Sequence, residues 1–188
     1  GNSSYPSVLA EMLTATLGAQ CMIWDTSPAA AELEEKVMQW LQQMLGLPLD
    51  WTGSIQDTAS TATLSAILTA RETLTGFDSN KNGLNGRQFK VYCSTETHSS
   101  IEKAVKITGI GANNLVKISV DHNNAMLPDE LERTLRQDIE HGVQPLCVIA
   151  ALGTTGTTAI DPLPQIADIC QRYKVWLHID AAYAGTAL

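Results

Sequence analysis

The first half of the chain carries apolar residues at helical spacing. Apolar side chains recur every three or four positions from Pro28 to Leu45, which predicts an amphipathic helix that a glycine and a proline then end. Ser27 directly precedes the proline and is a suitable N-cap residue for this helix. The same spacing predicts a shorter helix from Ser7 to Leu17 and a third from about Ala59 to Leu74.

The second half alternates between short apolar runs, typical of buried strands, and longer amphipathic segments, typical of helices. The predicted strands are Lys90–Cys93, Leu115–Val120, Leu146–Leu152 and Val175–Ile179, and the predicted helices are Ser99–Thr108, Pro128–His141 and Pro162–Tyr173. The polar stretch from Phe77 to Arg87 is predicted to be an exposed loop. This alternation predicts an α/β fold, a mostly parallel sheet with helices on both faces.

Composition narrows the class of protein. The chain has 188 residues, of which 44% are apolar and 17% are charged, so we expect about one domain around a packed core. Twenty acidic residues against twelve basic ones give a net charge of -8, which disfavours a nucleic acid as partner. Because no apolar run is long enough to cross a bilayer, we expect no membrane association.

The four cysteines, Cys21, Cys93, Cys147 and Cys170, are far apart and form no C-x-x-C pair. This spacing argues against a zinc site, and we predict no bound metal. Cys93 and Cys147 lie in apolar runs, where a free cysteine packs as a small hydrophobic residue. The pattern suggests no disulfide framework, so we expect reduced cysteines in a cytoplasmic protein.

Polar residues follow three of the predicted strands. His98 comes after the first strand, a Thr- and Gly-rich turn from Gly153 to Thr158 after the third, and Asp180 after the fourth. Because the carboxyl ends of parallel strands meet at one edge of a sheet, we expect these residues to share a ligand site. The segment Thr58–Ser60 opens a predicted helix, whose unpaired N–H groups suit a phosphate.

This set of residues suits a pyridinium ring that carries a phosphate arm. The Asp180 carboxylate can hold the ring nitrogen protonated, which makes the ring an electron sink. The His98 imidazole can stack on one face of the ring, and the small Ala182 can pack on the other face. We therefore predict pyridoxal 5'-phosphate as the cofactor.

Five short motifs carry a resemblance to a known family. They are Thr26–Glu34, Thr58–Leu64, Thr97–Ser100, Leu152–Thr158 and His178–Gly185. Together and in this order they resemble the group II pyridoxal-phosphate-dependent decarboxylases, in particular the aromatic-L-amino-acid, tyrosine and tryptophan decarboxylases. The resemblance extends over essentially the whole chain and implies the large domain of a fold-type-I, transferase-like enzyme.

The resemblance implies that six residues bind the cofactor: Ala59, Ser60, His98, Thr155, Asp180 and Ala182. Ala59 and Ser60 are expected to hold the phosphate, and Thr155 to contact the cofactor. His98 is expected to stack on the ring near the substrate carboxylate, and Asp180 to pair with the ring nitrogen. We expect His98 and Asp180 to be the catalytic residues.

The implied reaction is the loss of CO2 from an aromatic L-amino acid, which leaves the corresponding amine, and the implied assembly is a homodimer. Animal members of the family have an apolar and an aromatic residue where this chain has Gln20 and Met22, so the choice of substrate stays open. Asp57 replaces a small residue of those members, and its negative charge lies next to the expected phosphate.

The family pattern includes segments that this chain does not match. Members carry an N-terminal segment, a lysine that binds the cofactor covalently and a C-terminal small domain. We therefore expect residues 1–188 to form the central part of the large domain, incomplete as a fold and inactive alone.

Other interpretations stay open. An aldehyde-forming homologue, an aminotransferase and a desulfurase all use the same aspartate chemistry, and a folded, non-catalytic chain is a further alternative. A hydrolase is disfavoured because the sequence has no G-x-S-x-G motif. His178 lies within the last predicted strand, and we expect it to be a structural histidine.

Overall fold

A computed structural model describes residues 3–187 and divides the chain into two compact units, Gly1–Ile55 and Gln56–Leu188. The first unit contains helix α1 (Tyr5–Leu17) and helix α2 (Pro28–Met44). Helix α1 begins at a reciprocal capping box between Ser4 and Ser7. Both predicted helices of this unit are therefore present.

The start and the apolar face of α2 differ from the prediction. The Ser27 side chain makes no capping hydrogen bond, because its backbone (φ −154°, ψ 77°) lies outside the extended conformation of an N-cap residue. The segment after α2 returns along the helix, and the Ile55 N–H donates to Glu34 Oε1 at 2.7 Å. Leu33 and Met44 are 61% and 71% exposed, so the first unit leaves part of the apolar face of α2 open.

In the second unit, the described residues form a four-stranded parallel sheet with the order β2-β1-β3-β4. The strands are β1 (Phe89–Ser94), β2 (Leu115–Ile118), β3 (Gln144–Ala151) and β4 (Trp176–Asp180). All three strand pairings are parallel. The helices are α3 (Ala59–Thr75), α4 (Ser79–Asn82), α5 (Ser100–Ile107), α6 (Pro128–Glu140) and α7 (Leu163–Tyr173), with 3-10 turns at Ala112–Asn114 and Gly185–Ala187.

Two apolar clusters lie on the two faces of this sheet, because successive strand residues point to opposite sides. On one face, Val91 of β1 packs in a cluster with residues of α3 and with Ile101 of α5. On the other face, Tyr92 packs with Leu131 of α6 and Ile166 of α7. The predicted α/β architecture with helices on both faces is confirmed. None of the helices in residues 3–187 is both long enough and apolar enough to cross a membrane.

Element boundaries agree with the prediction to within two residues, except in the polar stretch after α3. That stretch was expected to be an exposed loop, but it contains the helical turn α4, and Ser79 is buried. The cause is a carboxylate on α3, since the Ser79 hydroxyl donates to Glu72. The predicted strand Leu115–Val120 ends at Ile118, because the chain then turns and Val120 bridges to Met126 in the antiparallel sense.

The cysteines are free thiols, as expected. Cys93 and Cys147 are buried in the strands, and Cys170 is buried on α7, whereas Cys21 is exposed. Burial raises the pKa of Cys170 to about 12. The buried cysteines therefore act as small apolar side chains of the core.

Candidate active site

The loops at the carboxyl edge of the sheet surround a cavity of about 280 Å3. Its walls come from the start of α3 and from the segments that follow β1, β3 and β4. The residues that line it are Thr58, Ala59, Ser60, His98, Ser100, Ala151, Gly153, Thr154, Thr155, Asp180, Ala182 and Tyr183. All six residues that the sequence predicted as cofactor ligands are in this set. The fold thus brings together side chains from distant parts of the chain.

The start of α3 supplies the part of the wall suited to an anion. Thr58 is the N-cap residue in extended conformation, and its hydroxyl accepts from the Thr61 N–H at 3.2 Å. The N–H groups of Ala59 and Ser60 lie in the first helical turn, where no carbonyl of the helix can accept them. These groups, together with the dipole of a 17-residue helix, favour a phosphate at this position.

His98 lies in the loop between β1 and α5, and its ring is held at one edge by Ser100. The backbone N–H of Ser100 donates to Nδ1 of His98 at 3.2 Å, and the Ser100 hydroxyl lies 2.8 Å from the same atom. A backbone N–H can only donate, so Nδ1 is an acceptor and the neutral ring carries its proton on Nε2. The orientation of His98 is therefore set by the first residue of α5.

The turn after β3 is organised by a buried threonine next to the predicted ligand. Thr154 is 3% exposed, and its hydroxyl accepts from the Ala159 N–H at 3.0 Å and lies 2.7 Å from the Thr157 hydroxyl. Thr155 is exposed and lines the cavity. The hydroxyl of Thr154 thus closes the turn that presents Thr155.

Gly153 allows this turn to approach the loop after β4. Its φ is +86°, and a Cβ added there would lie 2.9 Å from the Ala184 Cβ and 3.0 Å from the Tyr183 ring. Both the backbone conformation and the close approach therefore require glycine. The turn that carries Thr155 and the loop that follows Asp180 therefore approach each other closely at Gly153.

Asp180 is the last residue of β4 and lies opposite Ala151 in the sheet. Its Oδ1 accepts from the Ala182 N–H at 3.2 Å. Within the described part of the chain, the ion pairs formed by lysine and arginine involve other carboxylates. The charge of Asp180 is therefore not neutralised by a basic side chain of these residues, and it faces the cavity.

His178 lies two residues before Asp180 and is not among the residues that line the cavity. Its Nε2 lies 3.2 Å from the hydroxyl oxygen of Thr63 on α3. Burial lowers the pKa of His178, and the charge of Asp180 opposes that shift only in part. The ring is therefore neutral at pH 7 and leaves the Asp180 carboxylate without a cationic neighbour at this position.

A model of the pyridoxal-dependent decarboxylase conserved domain matches residues 1–188. The chain belongs to the pyridoxal-dependent decarboxylase family. Tryptophan decarboxylase 2 of Oryza sativa subsp. japonica is 40% identical to this chain over 99% of the chain and 38% of that protein. Phenylacetaldehyde synthase of Arabidopsis thaliana is 39% identical over 99% of the chain and 39% of that protein. Histidine decarboxylase of Homo sapiens is 39% identical over 98% of the chain and 30% of that protein.

Solved structures of the family share this fold. Oryza sativa TDC with PLP and tryptamine superposes with a TM-score of 0.90 at 30% identity, over 97% of this chain and 39% of that chain. The apo form of mouse CSAD superposes with a TM-score of 0.91 at 29% identity, over 97% and 38% of the two chains. The predicted fold-type-I class is therefore confirmed. The chain spans between 30% and 39% of the length of the relatives named above.

Pyridoxal 5'-phosphate is the cofactor of this family, and the cavity fits it. One carboxylate, that of Asp180, suits the ring nitrogen, and the start of α3 suits the phosphate. His98 supplies an aromatic ring, and the small side chains of Ala151 and Ala182 leave room between these groups. A cofactor with one basic nitrogen and one anionic arm is the ligand that this set of groups complements.

Several lining residues were not predicted individually, among them Ser100, Gly153, Thr154 and Tyr183. Each of them lies within one of the motifs that carried the family resemblance, so the signal was present in the sequence. Asp57, whose charge next to a phosphate is unfavourable, is not among the lining residues.

Proposed function

We propose that the protein containing this chain removes the carboxyl group of an aromatic L-amino acid with pyridoxal 5'-phosphate, and so produces the corresponding amine and CO2. The observation that carries the proposal is the meeting of Asp180, His98 and the start of α3 around one cavity. Similarity to tryptophan decarboxylase 2 supports an aromatic substrate.

Some residues of the chain would bind the cofactor, and others would stabilise the charges that form during the reaction. When bound, the cofactor supplies an electron-withdrawing ring that stabilises the negative charge left on the amino acid as CO2 departs. Asp180 would hold a proton on the ring nitrogen, and its fixed position stabilises that positive charge without reorganisation. His98 would lie on the ring face, with its Nε2–H as a donor toward the substrate carboxylate. Ala59, Ser60 and Thr155 would hold the cofactor in place.

The test uses the full-length protein loaded with pyridoxal 5'-phosphate and supplied with L-tryptophan, L-tyrosine or L-phenylalanine. We expect amine and CO2 in equal amounts from at least one of these substrates, and a large loss of turnover in the Asp180→Asn variant. Asp168→Asn is the matched control, because Asp168 is an exposed carboxylate on α7. Absence of CO2 from all three substrates, or full activity in Asp180→Asn, would contradict the proposal.

A second candidate is the oxidative formation of an aldehyde from the same substrates. Similarity to phenylacetaldehyde synthase is almost as high as that to tryptophan decarboxylase 2, at 39% against 40% identity. The two outcomes differ in oxygen balance, because aldehyde formation consumes O2 and releases peroxide. An oxygen electrode together with an aldehyde assay distinguishes them. L-histidine belongs in the same experiment, given the 39% identity to histidine decarboxylase.

We further propose that the 188 residues form the central part of the large domain of a cytoplasmic homodimer. The chain spans 38% and 39% of two relatives, which supports its being one part of a longer enzyme. The first unit leaves Leu9, Met12 and Leu13 of α1 at least 60% exposed, which supports a partner subunit. Free thiols in the described residues support a reducing compartment. Light scattering of the full-length protein tests the dimer, and a monomer would contradict it.

A further inference from the structure

A hydrogen bond outside the cavity links α3, whose start is the expected phosphate site, to β4, which ends at Asp180. Thr63 of α3 is buried, with 1% of its surface exposed, and its Oγ1 lies 3.2 Å from Nε2 of His178 on β4. Neither residue is among those that line the cavity. The pair therefore does not face a ligand but joins the helix that starts at the phosphate site to the strand that ends at Asp180.

Thr63 lies on the same face of α3 as Ser60, and His178 lies on the same face of β4 as Asp180. Ser60 and Thr63 are three residues apart on one face of α3, which places them about 4.5 Å apart along the helix axis. His178 and Asp180 are two residues apart on one face of β4, which places them about 6.6 Å apart along the strand. The hydrogen bond between Thr63 and His178 thus lies one helical turn from Ser60 and two strand residues from Asp180, the residues expected to hold the two ends of the cofactor.

Helix α3 also packs on the sheet through apolar side chains. Ile67 of α3 is fully buried in the apolar cluster, and α3 also packs on β3. Apolar packing is non-directional, so by itself it tolerates a small slide of the helix along its axis. A hydrogen bond has a narrow range of length and angle, so the one between Thr63 and His178 holds the helix in register with β4.

We propose that Thr63 and His178 are positioning residues that set the distance between the phosphate site at the start of α3 and the ring-nitrogen site at Asp180. This inference rests on the proposed function, because it requires a ligand held at both sites. Such a ligand binds most tightly when the two sites already have the correct separation, since otherwise part of the binding free energy is lost in moving them.

The test compares ligands that use both sites with ligands that use one. Pyridoxine 5'-phosphate carries the ring nitrogen and the phosphate, whereas pyridoxine and inorganic phosphate each carry one of them, and none has the aldehyde. Calorimetry measures the binding of each probe to the full-length apoenzyme. In Thr63→Val we expect about fivefold weaker binding of pyridoxine 5'-phosphate, the change that corresponds to one typical hydrogen bond. The two single-site probes should change by less than about twofold.

Three variants control this result. Thr63→Ser keeps a hydroxyl and should restore binding of pyridoxine 5'-phosphate. Thr69→Val makes the same substitution on the exposed side of α3, where the hydroxyl donates to the Ser65 carbonyl at 2.8 Å, and should change nothing. His178→Asn shortens the side chain from the other end of the bond. It should show the same pattern as Thr63→Val, and the double variant should be no weaker than either single one.

The outcomes separate this inference from the proposed function. Equal weakening of all three probes in Thr63→Val and His178→Asn would overturn the inference, because it indicates general loss of structure. Unchanged binding of pyridoxine 5'-phosphate in both variants would overturn it as well. If the wild-type apoenzyme does not prefer pyridoxine 5'-phosphate over pyridoxine, the cofactor site itself is wrong and the proposed function fails with it.

Discussion

Two aspartates lie near the end of β3, Asp161 in the loop after β3 and Asp180 as the last residue of β4, but their carboxylates have different environments. Asp161 is 1% exposed, and its two oxygens accept the N–H groups of Met126 at 2.8 Å and Ala151 at 2.7 Å. Asp180 is half-buried, accepts the Ala182 N–H at 3.2 Å and lines the cavity. Ala151 is also the partner of Asp180 in the sheet, so one strand end contacts both acids.

This difference indicates a structural role for Asp161 and a ligand-binding role for Asp180. Burial raises the pKa of Asp161, and its two backbone hydrogen bonds oppose that shift only in part. Because both oxygens of Asp161 are occupied by backbone N–H groups, this carboxylate ties the loop after β2 to the end of β3. Asp180 has only Oδ1 engaged by the described residues, so its charge remains available to a ligand.

The largest expected effect is on chemistry, in Asp180→Asn of the full-length enzyme. Turnover should fall by at least about a hundredfold, the range seen when a preorganised electrostatic contact is removed. The melting temperature of the apoenzyme should stay unchanged, because Asp180 lies at the cavity wall. Steady-state kinetics measure the turnover, and thermal unfolding measures the melting temperature. If Asp180→Asn lost stability but kept its turnover, the role of Asp180 would be structural, which contradicts this prediction.

The next effect is on stability, in Asp161→Ala. Two buried N–H groups then lose their acceptor, which should destabilise the fold by about 3 kcal/mol. Urea unfolding of the apoenzyme measures this loss, and Asp168→Ala on the surface of α7 is the control, with an expected change below about 0.5 kcal/mol. Activity per folded molecule should remain within about threefold of wild type, since Asp161 does not line the cavity. A much larger loss of activity would show that Asp161 has a chemical role.

The contact between the two loops is tested by Gly153→Ala. The added Cβ meets Ala184 and Tyr183 at 2.9 and 3.0 Å, and the φ of +86° strains any side chain. We expect about 1–2 kcal/mol of destabilisation. Affinity for the cofactor should fall as well, because the loop that directly follows Asp180 must shift. Gly156→Ala in the same turn has open space around the new Cβ and should be neutral, so equal effects of the two would refute this contact.

A smaller effect is the pH dependence of the difference between wild type and Asp161→Asn. Since the folded state raises the pKa of Asp161, it binds this proton more tightly than the unfolded chain does. The resulting stabilisation is complete below the ordinary aspartate pKa of about 3.9 and is lost as pH rises through the folded pKa. The stability difference should therefore grow as pH falls through this window. Asp161→Ala must show the same trend, and a difference independent of pH would contradict it.

The smallest effect concerns a third carboxylate, that of Asp57, which is exposed just before the N-cap of α3. Its removal in Asp57→Ala should strengthen binding of pyridoxine 5'-phosphate by no more than about twofold, because an exposed charge is well screened. The gain should vanish at high salt. A gain that persists at high salt would place Asp57 inside the site instead of outside it.

Much of the fold could be predicted from the sequence, because the strands are short apolar runs and the helices repeat at their own spacing. The positions of His98, Thr155 and Asp180 along the cavity wall could be predicted too, since each lies at or just after the end of a strand at one edge of the sheet. Asp161 could not be assigned in this way. It lies after a polar turn and before a proline, so locally it resembles a turn residue, and its burial depends on Met126 from a distant loop.

By itself, the sequence determined the α/β class, the edge of the sheet that carries the site and the residues expected there, because these follow from local periodicity and from motifs. Only the tertiary structure decided which acid is buried, which glycine lets two loops touch and which threonine reaches His178. These properties arise from contacts between residues far apart in the chain, and no local pattern encodes the distance between two elements that pack side by side.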